Sequence, residues 1–454
     1  MIKISRQITP TQGKFSPSKQ MLLDHIILRN FRNYIDCEIN FTKPVILIIG
    51  GNAQGKTSLL EAIYFLCTAE SHRATHDAEL IRHHESGFYL KGILRNGSDD
   101  VTSLEATKRV RGQFKLKKNG VLQTKRSEWI GQFNAVLFSP ESLTLVKGSP
   151  SERRRFLDLL ISQIDTEYLK SLQEYNFVLK QRNELLKQIR ATLANSAQLD
   201  AWDKLLLMHG TAVIIKRLEI FHQLRNHAIQ NHHKLTGGSE NIALTYRSAS
   251  VPNDTLTNNI ENSNSENFST NILTDPAHVS QKTICEDKVI KHFGVSLNGS
   301  REVDLQRGTT LVGPHRDDFL IELENEPQTS PVHNYHDDRD SDLLAHETET
   351  FREVARSYGS QGQQRTIALA LKLAELELIR HLTGRNPIVL LDDVTSELDD
   401  NRIGYLLEVL QDLSAQTFIT ATDAEPLVNH LNQPSVLKVE NAQISSTTET
   451  IENS

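Results

Sequence analysis

From Met21 onward, apolar positions form two strand-like runs, LLDHIILRNFRNY at 22–34 and INFTKPVILIIGG at 39–51, the second ending in a glycine turn. From about Glu61 the period lengthens to that of a helix, with Leu59, Leu60, Ile63 and Leu66 on one face. Residues 88–125 return to strand texture, and Asn96-Gly97 and Asn119-Gly120 mark hairpin turns. Over 151–195 the residues Leu157, Ile161, Ile164, Tyr168, Leu172, Tyr175, Leu179, Leu186, Ile189 and Leu193 step by three or four, broken only at Arg182. That spacing predicts one long helix. A second helical run, from about Trp202 to Ala228, is long enough to return beside it as a short antiparallel hairpin. Further on, Ile367, Leu371, Ala374 and Leu378 form the stripe of another helix, and Ile388–Leu391 reads as a buried strand.

Three stretches carry no such pattern. Residues 1–20 read as a disordered extension. Residues 236–285 are rich in Asn, Ser and Thr, with seven Asn between 253 and 271, and 324–350 carries eight acidic residues against Arg339. The three histidines of 324–350 show no recurring ligand spacing, so that stretch reads as a solvated loop. The resulting map is 1–20 extension, 21–150 first part of a head, 151–235 helical arm, 236–294 polar insertion, 295–440 second part of the head with an acidic loop at 324–350, and 441–454 tail.

Composition narrows the classes. A length of 454 residues suggests about three units. With 38% hydrophobic and 24% charged residues, the chain can build a sizeable core. Its 50 Lys and Arg against 57 Asp and Glu give a formal charge of −7, which excludes a basic whole-chain footprint. Contact with nucleic acid must therefore come from a local patch. Cys37, Cys67 and Cys285 form no CxxC pair, which points to buried thiols in a reducing compartment. No apolar run approaches the roughly 18 residues that cross a bilayer, and residues 1–20 lack a secretory h-region, so a cytoplasmic protein is expected.

The chemistry concentrates in three places. Gly50-Gly51-Asn52-Ala53-Gln54-Gly55-Lys56-Thr57, followed by Ser58, fits GxxxxGK[ST] between an apolar strand and a helix. Its glycines let backbone N–H groups approach phosphates, Lys56 offers a charge to β/γ oxygens, and Thr57 a hydroxyl to Mg²⁺. Asp392 and Asp393 end the strand Ile388–Leu391, where a parallel sheet places its reactive edge. Asp392 is the candidate to hold Mg²⁺ through water, and Asp393 to position or deprotonate the attacking water. Ser360-Gln361-Gly362-Gln363-Gln364-Arg365 opens a helix with a polar cap and free N–H groups, an anion site in principle. It resembles the S-x-G-Q signature of ABC-type ATPases, which reaches nucleotide on the opposite subunit and so implies a homodimer holding two ATP.

Several blocks in order resemble the bacterial RecF family of DNA replication and repair proteins, a branch of the SMC-like ABC ATPases. They are Leu28-Arg29-Asn30-Phe31-Arg32-Asn33-Tyr34, Pro140-Glu141 through Gly148-Ser149-Pro150, Arg153-Arg154-x-Phe156-Leu157-Asp158, Gly313-Pro314-His315-Arg316-Asp317-Asp318, and Leu390 to Asp393 with Ser396-Glu397-Leu398-Asp399 and Arg402. The resemblance covers about 21–235 and 295–440. It implies an α/β fold, an ABC-type P-loop ATPase head with an inserted helical arm, ATP and Mg²⁺ as cofactors, and weak DNA-stimulated ATP hydrolysis. It further implies binding of gapped, single-stranded or junction DNA and loading of RecA with RecR and RecO, in fork recovery and the SOS response. Three departures stand out. Asp393 is one methylene shorter than the Glu of transporters, which suits slow turnover; Gln361 replaces a signature Gly; and no switch histidine follows Thr417-Phe418-Ile419-Thr420, leaving Thr420 or Thr422 in that neighbourhood. Gln132 is the one glutamine offered for the Q-loop.

For DNA, residues 106–126 hold Lys108, Arg109, Arg111, Lys115, Lys117, Lys118, Lys125 and Arg126 and no acid. Such a run is equally a solvated face. Arg153 and Arg154, with Arg155, are a second candidate, unless they join the arm to the head. Neither patch interleaves an aromatic ladder, so backbone recognition without sequence specificity is expected. The ATPase subunit of a membrane transporter is the alternative, and the block at 153–158 disfavours it. A P-loop kinase would need no signature helix.

Overall fold

A computed structural model describes residues 19–97, 100–112, 114–192, 194–252, 286–325, 351–393, 398–424, 427, 431 and 433–446. The expectations for 1–18, 253–285, 326–350, Ser396, Glu397 and 447–454 lie outside these. A parallel sheet is the middle layer. Its strands β3 (Val45–Ile49), β8 (Ala135–Phe138), β13 (Ile388–Leu391), β14 (Thr417–Ala421) and β15 (Ser435–Glu440) run parallel, and β16 (Gln443–Ser446) pairs antiparallel at one edge; the order is β16-β15-β3-β14-β13-β8. The residues of β8, β13 and β14 are buried throughout, as both faces are covered.

Alternate residues serve two cores. Ile46 and Ile48 face helix α1 (Lys56–Thr68) and a mainly antiparallel sheet, whereas Leu47 joins the helical side. That second sheet comprises β1 (Lys19–Phe31), β2 (Tyr34–Asn40), β4 (Gly87–Asn96), β5 (Asp100–Arg109), β6 (Lys115–Lys118), β7 (Val121–Gln123) and the short β12 (Arg385–Asn386), in the order β12-β1-β4-β5-β6-β7 with β2 on β1. Asn119 and Gly120 turn β6 into β7 with φ of 51° and 77°, values a primed hairpin turn demands.

The helical side departs from the predicted single helix over 151–195. The chain breaks at Asp165 into α3 (Pro150–Ile164) and α4 (Thr166–Arg190), because the Asp165 carboxylate accepts from the N–H groups of Glu167 and Tyr168 and caps a new start. Helix α5 (Leu199–Leu235) runs 37 residues, about 55 Å at 1.5 Å per residue, and returns along α4. A third helix, α6 (Glu286–Arg307), packs on this pair, with Phe293 so close to Gly210 that a Cβ there would meet its ring at 2.6 Å. Part of the expected polar insertion is therefore regular structure: α6 starts before residue 295, and Asn241–Arg247 is strand β9, paired with β10 (Asp318–Asn325), which pairs in turn with β11 (Phe351–Val354). Around these lie α2 (Thr144–Lys147), α7 (Ala355–Tyr358), α8 (Gln361–Thr383) and α9 (Asp400–Leu413). Among the described residues, no helix is long and apolar enough to cross a membrane.

Candidate nucleotide site and the cluster behind it

The phosphate loop leaves the C-terminal end of β3. Gly50 allows the approach of β15, since a Cβ would sit 2.3 Å from the Val439 carbonyl oxygen. Gly55 holds φ of 120° beside the β1–β2 turn, where Tyr34 Oη donates to its carbonyl (3.1 Å) and Asn33 Nδ2 donates to that of Gln54 (3.3 Å). From the other side, the N–H of Ala442 donates to the Gln54 carbonyl at 2.9 Å, and Asn441 N–H to the Gln54 side chain. Two hairpins thus fix the loop. Gly51, Asn52, Ala53, Lys56, Thr57 and Ser58 complete it, with Ala53 also at positive φ (62°) and α1 starting at Lys56 rather than near Glu61.

Lys56 Nζ donates to the carbonyls of Gly50 (2.7 Å) and Gly51 (2.9 Å), which holds its charge within the loop. Burial pulls its pKa below the usual lysine range, and the nearby Asp393 and Asp392 offset part of that. Asp392 is buried, and one of its oxygens accepts from both Thr57 Oγ1 (3.0 Å) and Thr420 Oγ1 (2.8 Å). Burial raises its pKa, and the two hydroxyl donors temper the rise. Thr420 also accepts from the N–H of Asp393 at 2.9 Å, and Asp393 sits at φ of 50°, a left-handed turn that re-aims its side chain. The structure thus brings the loop, Asp392 and Asp393 to one sheet edge. It gives Thr420 a role of its own, as the strap between the two acids, while Thr422 is exposed beyond the strand.

Ser360 caps α8: its Oγ accepts from Gln363 N–H (3.2 Å), and Gln363 Oε1 accepts from Ser360 N–H (2.8 Å). Gln363 Nε2 also donates to Glu240, at the start of the β9 region (3.2 Å). Ser360 and Gln361 are exposed, and Gly362 leaves the helix start open, with no atom within 3.8 Å of an added Cβ. This cap is held by elements other than those that pin the phosphate loop.

One expectation needs correction. Gln132 is far from this edge in its bonding: its side chain accepts from Lys118 on β6 and donates to Glu128, so it belongs to the antiparallel sheet. The turn beside Asp392 is instead Ser139–Glu141, because Asp392 N–H donates to the Phe138 carbonyl (2.8 Å), and Glu141 pairs with Arg73 at 3.6 Å. Arg153 and Arg154 bond within the fold, in line with the alternative that they join the arm to the head. Arg153 is buried in a two-pronged bond to Asp318 (2.8 Å each), and Arg154 donates to the Asp317 carbonyl (2.7 Å).

The blocks at 153–158 and 313–318 thereby meet in one buried cluster. Arg217, in the middle of α5, grips Asp158 with both nitrogens (2.9 Å each) and the Pro314 carbonyl (2.6 Å). Asp317 accepts from Tyr246 Oη (2.7 Å), Ser248 Oγ (3.1 Å) and Ala249 N–H (2.8 Å). His315 Nε2 lies 3.1 Å from the Thr310 carbonyl, which can only accept, so Nε2 carries the proton and Nδ1 accepts from Tyr175 Oη (2.6 Å). Sequence reasoning missed Arg217, Tyr246 and the polar role of Tyr175; an arginine amid the apolar run of this helix was the available signal.

Of the basic run, Lys108, Arg109, Lys115, Lys117 and Lys118 lie on β5 and β6 and Arg111 between them, at the outer end of the antiparallel sheet. Arg109, Arg111, Lys115 and Lys117 are exposed.

A parallel sheet with the phosphate loop after one strand, paired acids after another and a capped signature helix defines an ABC-type P-loop ATPase head. Residues 22–446 match the RecF/RecN/SMC N terminal domain. The chain is 39% identical over 406 residues to the DNA replication and repair protein RecF of Natranaerobius thermophilus, covering 89% of this chain and 92% of that one. It is 37% identical over 428 residues to the RecF of Bacillus thuringiensis, covering 93% and 98%. A solved structure of the recombination mediator protein RecF with ATP, in the RecFOR pathway, matches with a TM-score of 0.75 and 31% identity over 94% of this chain and 99% of that one. The chain belongs to the RecF family of DNA replication and repair proteins.

Proposed function

We propose that the chain is an ATP-gated, DNA-binding homodimer. The observation that carries this reading is the separation of two half-sites. Lys56, Thr57 and Asp392 face the phosphate loop, while Ser360, Gln361, Gly362 and Gln363 present an open helix start on other elements. A helix N-terminus that is capped yet exposed suits a γ-phosphate carried by a second copy. The relative solved with ATP supports the ligand.

Thr57 Oγ1 and the Asp392 carboxylate are hard oxygen donors 3.0 Å apart, a set that suits Mg²⁺ bound partly through water. When bound, that ion would supply charge neutralisation at the β/γ oxygens. Lys56 moves its ammonium from the loop carbonyls to the phosphates. Asp393, its backbone held by Thr420, orients the attacking water. Its short side chain suits slow hydrolysis, so closure outlasts the chemistry and release follows it.

Closure of two heads aligns the basic ends of both antiparallel sheets on DNA, with Lys108, Arg109, Arg111, Lys115, Lys117 and Lys118 neutralising phosphates. Gapped or junction DNA, RecR and RecO as partners and RecA loading follow from the family. The test is fluorescence anisotropy of labelled gapped DNA with and without ATP and Mg²⁺. Binding that requires ATP and is lost in Lys56→Ala supports the clamp; equal binding in every condition rejects the gating.

A further inference from the structure

The outer end of the antiparallel sheet carries a pocket remote from the phosphate loop. It opens where β5, β6 and the segment after β7 meet and holds about 330 Å³, at the lower end of the roughly 300–1,000 Å³ of ligand pockets. Phe114 forms its apolar wall, Lys108, Lys125 and Arg126 supply cations, and Gln123 and Thr124 supply hydrogen-bonding groups, with Asp77 at the side.

Phe114 is fixed by Phe65 (ring centroids 5.4 Å apart, 33° between planes) and Phe88 (6.2 Å, 64°). Lys108 Nζ and Arg126 Cζ stand 5.3 and 5.9 Å from its centroid. Arg126 lies 3.9 Å from Glu70, at the outer limit of an ion pair, and its side chain is 41% exposed, so its charge remains available to an incoming anion. An aromatic wall, a guanidinium plane beside it, amide and hydroxyl groups and a cationic rim are the complement of one nucleotide. The base stacks on ring or guanidinium, and the phosphate meets the lysines. Phe65 lies two and a half turns along α1 from Lys56, about 13 Å at 1.5 Å per residue, so the pocket is separate from the ATP phosphates.

The geometry points to this pocket as the seat of a single unstacked nucleotide of a DNA strand, such as one at the edge of a gap. The inference rests on the DNA-binding reading above and deepens it from phosphate contact to recognition of the unstacked base. A nucleotide at a gap edge is the least costly to withdraw from its stack, which makes the pocket select junctions over continuous duplex without reading sequence. A free mononucleotide has the same chemistry, and the test separates the two.

Two gapped DNAs, identical except that one carries an abasic residue at the gap edge, are compared by anisotropy with the full chain and ATP. The wild type is expected to bind the intact DNA about tenfold more tightly. Phe114→Leu keeps the packing on Phe65 and Phe88 but removes the aromatic face, and Arg126→Gln alters the rim. In each the difference is expected to fall below about threefold. Equal binding of both DNAs by the wild type overturns the pocket and leaves the DNA reading intact, whereas no binding of either overturns both. A difference undiminished in both variants also overturns it. Displacement of DNA by millimolar dAMP without base discrimination assigns the pocket to free nucleotide and rejects the strand.

Discussion

Thr420 hydrogen-bonds Asp392 through its hydroxyl and holds the Asp393 N–H with the same oxygen, so a single buried side chain sets the geometry of two acids. Mutations around it separate the roles. Lys56→Ala is expected to lose ATP affinity by at least tenfold in equilibrium nucleotide binding, because its ammonium is the cationic side chain of the loop. Asp393→Asn keeps the shape and the Thr420 bond, and is expected to bind ATP normally, hydrolyse it at least tenfold more slowly and prolong the dimer in sizing experiments with ATP. Hydrolysis at the wild-type rate would move the water-orienting role to another residue. A different outcome belongs to Arg153. Its removal leaves the partly exposed Asp318 carboxylate with the Phe319 N–H as a donor, so Arg153→Ala is expected to cost about 1–3 kcal/mol of stability, while the salt dependence of DNA binding stays unchanged. The motif residues were legible because spacing alone carries them. For Arg153 the sequence left two readings open, DNA contact or a join of arm to head, and Gln132 was misplaced, because their partners, Asp318 and Lys118, are set by the tertiary fold, and a charged or amide side chain reads the same in sequence whether it faces water or an acid.

The elements show the same limit in another form. Apolar spacing placed α3 and α4 on one continuous stripe, since Leu157 through Ile164 and Tyr168 through Leu172 keep helical phase. The break at Asp165 depends on a capping bond that periodicity does not register. Arg182, the gap in the stripe, is fully buried and bonded to Asp203 (2.6 Å), Asp304 (2.8 Å) and Thr310 (2.7 Å), so the interruption marked the seam with α5 and α6 rather than an exposed face. The β-rich half was read more fully, because alternation and the two Asn-Gly turns are local signals. Asp165 offers a test at this scale. Burial alone would raise its pKa, but the N–H of Tyr168, the Lys216 ammonium and the N–H of Glu167 outweigh it and leave the carboxyl below the usual range. Asp165→Ala removes the cap and a Lys216 contact of 3.0 Å. It is expected to cost about 1–2 kcal/mol in denaturant unfolding, with ATP affinity unchanged. A loss within 0.3 kcal/mol would mean that packing alone sets the break.

Three histidines, His232 buried and His72 and His315 half-buried, predict an acid-sensitive stability for the whole molecule. His72 lies after α1, His232 near the end of α5 and His315 in the cluster behind the site, and burial pushes each down to about 4. At His232 burial wins over the opposing effect of the Glu240 backbone. At His315 the Nδ1 lone pair is engaged by Tyr175 Oη, so protonation would also break that bond. The sign follows from linkage. With folded values below the ordinary 6.5, these groups contribute stability above that pH and lose it as pH falls toward 4, since the unfolded chain takes up their protons first. Asp392, Asp317 and Glu375 act in the opposite sense, because burial raises their pKa values and the folded chain binds their protons first. Wherever the folded chain protonates these carboxyls first, they offset part of the histidine slope. Each histidine contributes a slope of up to about 1.4 kcal/mol per pH unit, and three together approach 4. Set against a net stability of about 5–15 kcal/mol, that predicts a marked fall in the unfolding midpoint between pH 6.5 and 5.5, measured by denaturant titration at a series of pH values. His315→Asn is expected to reduce the slope by about a third while lowering stability at pH 8. A slope near zero across that interval in the wild type would show that these rings are protonated within the fold or titrate alike in both states.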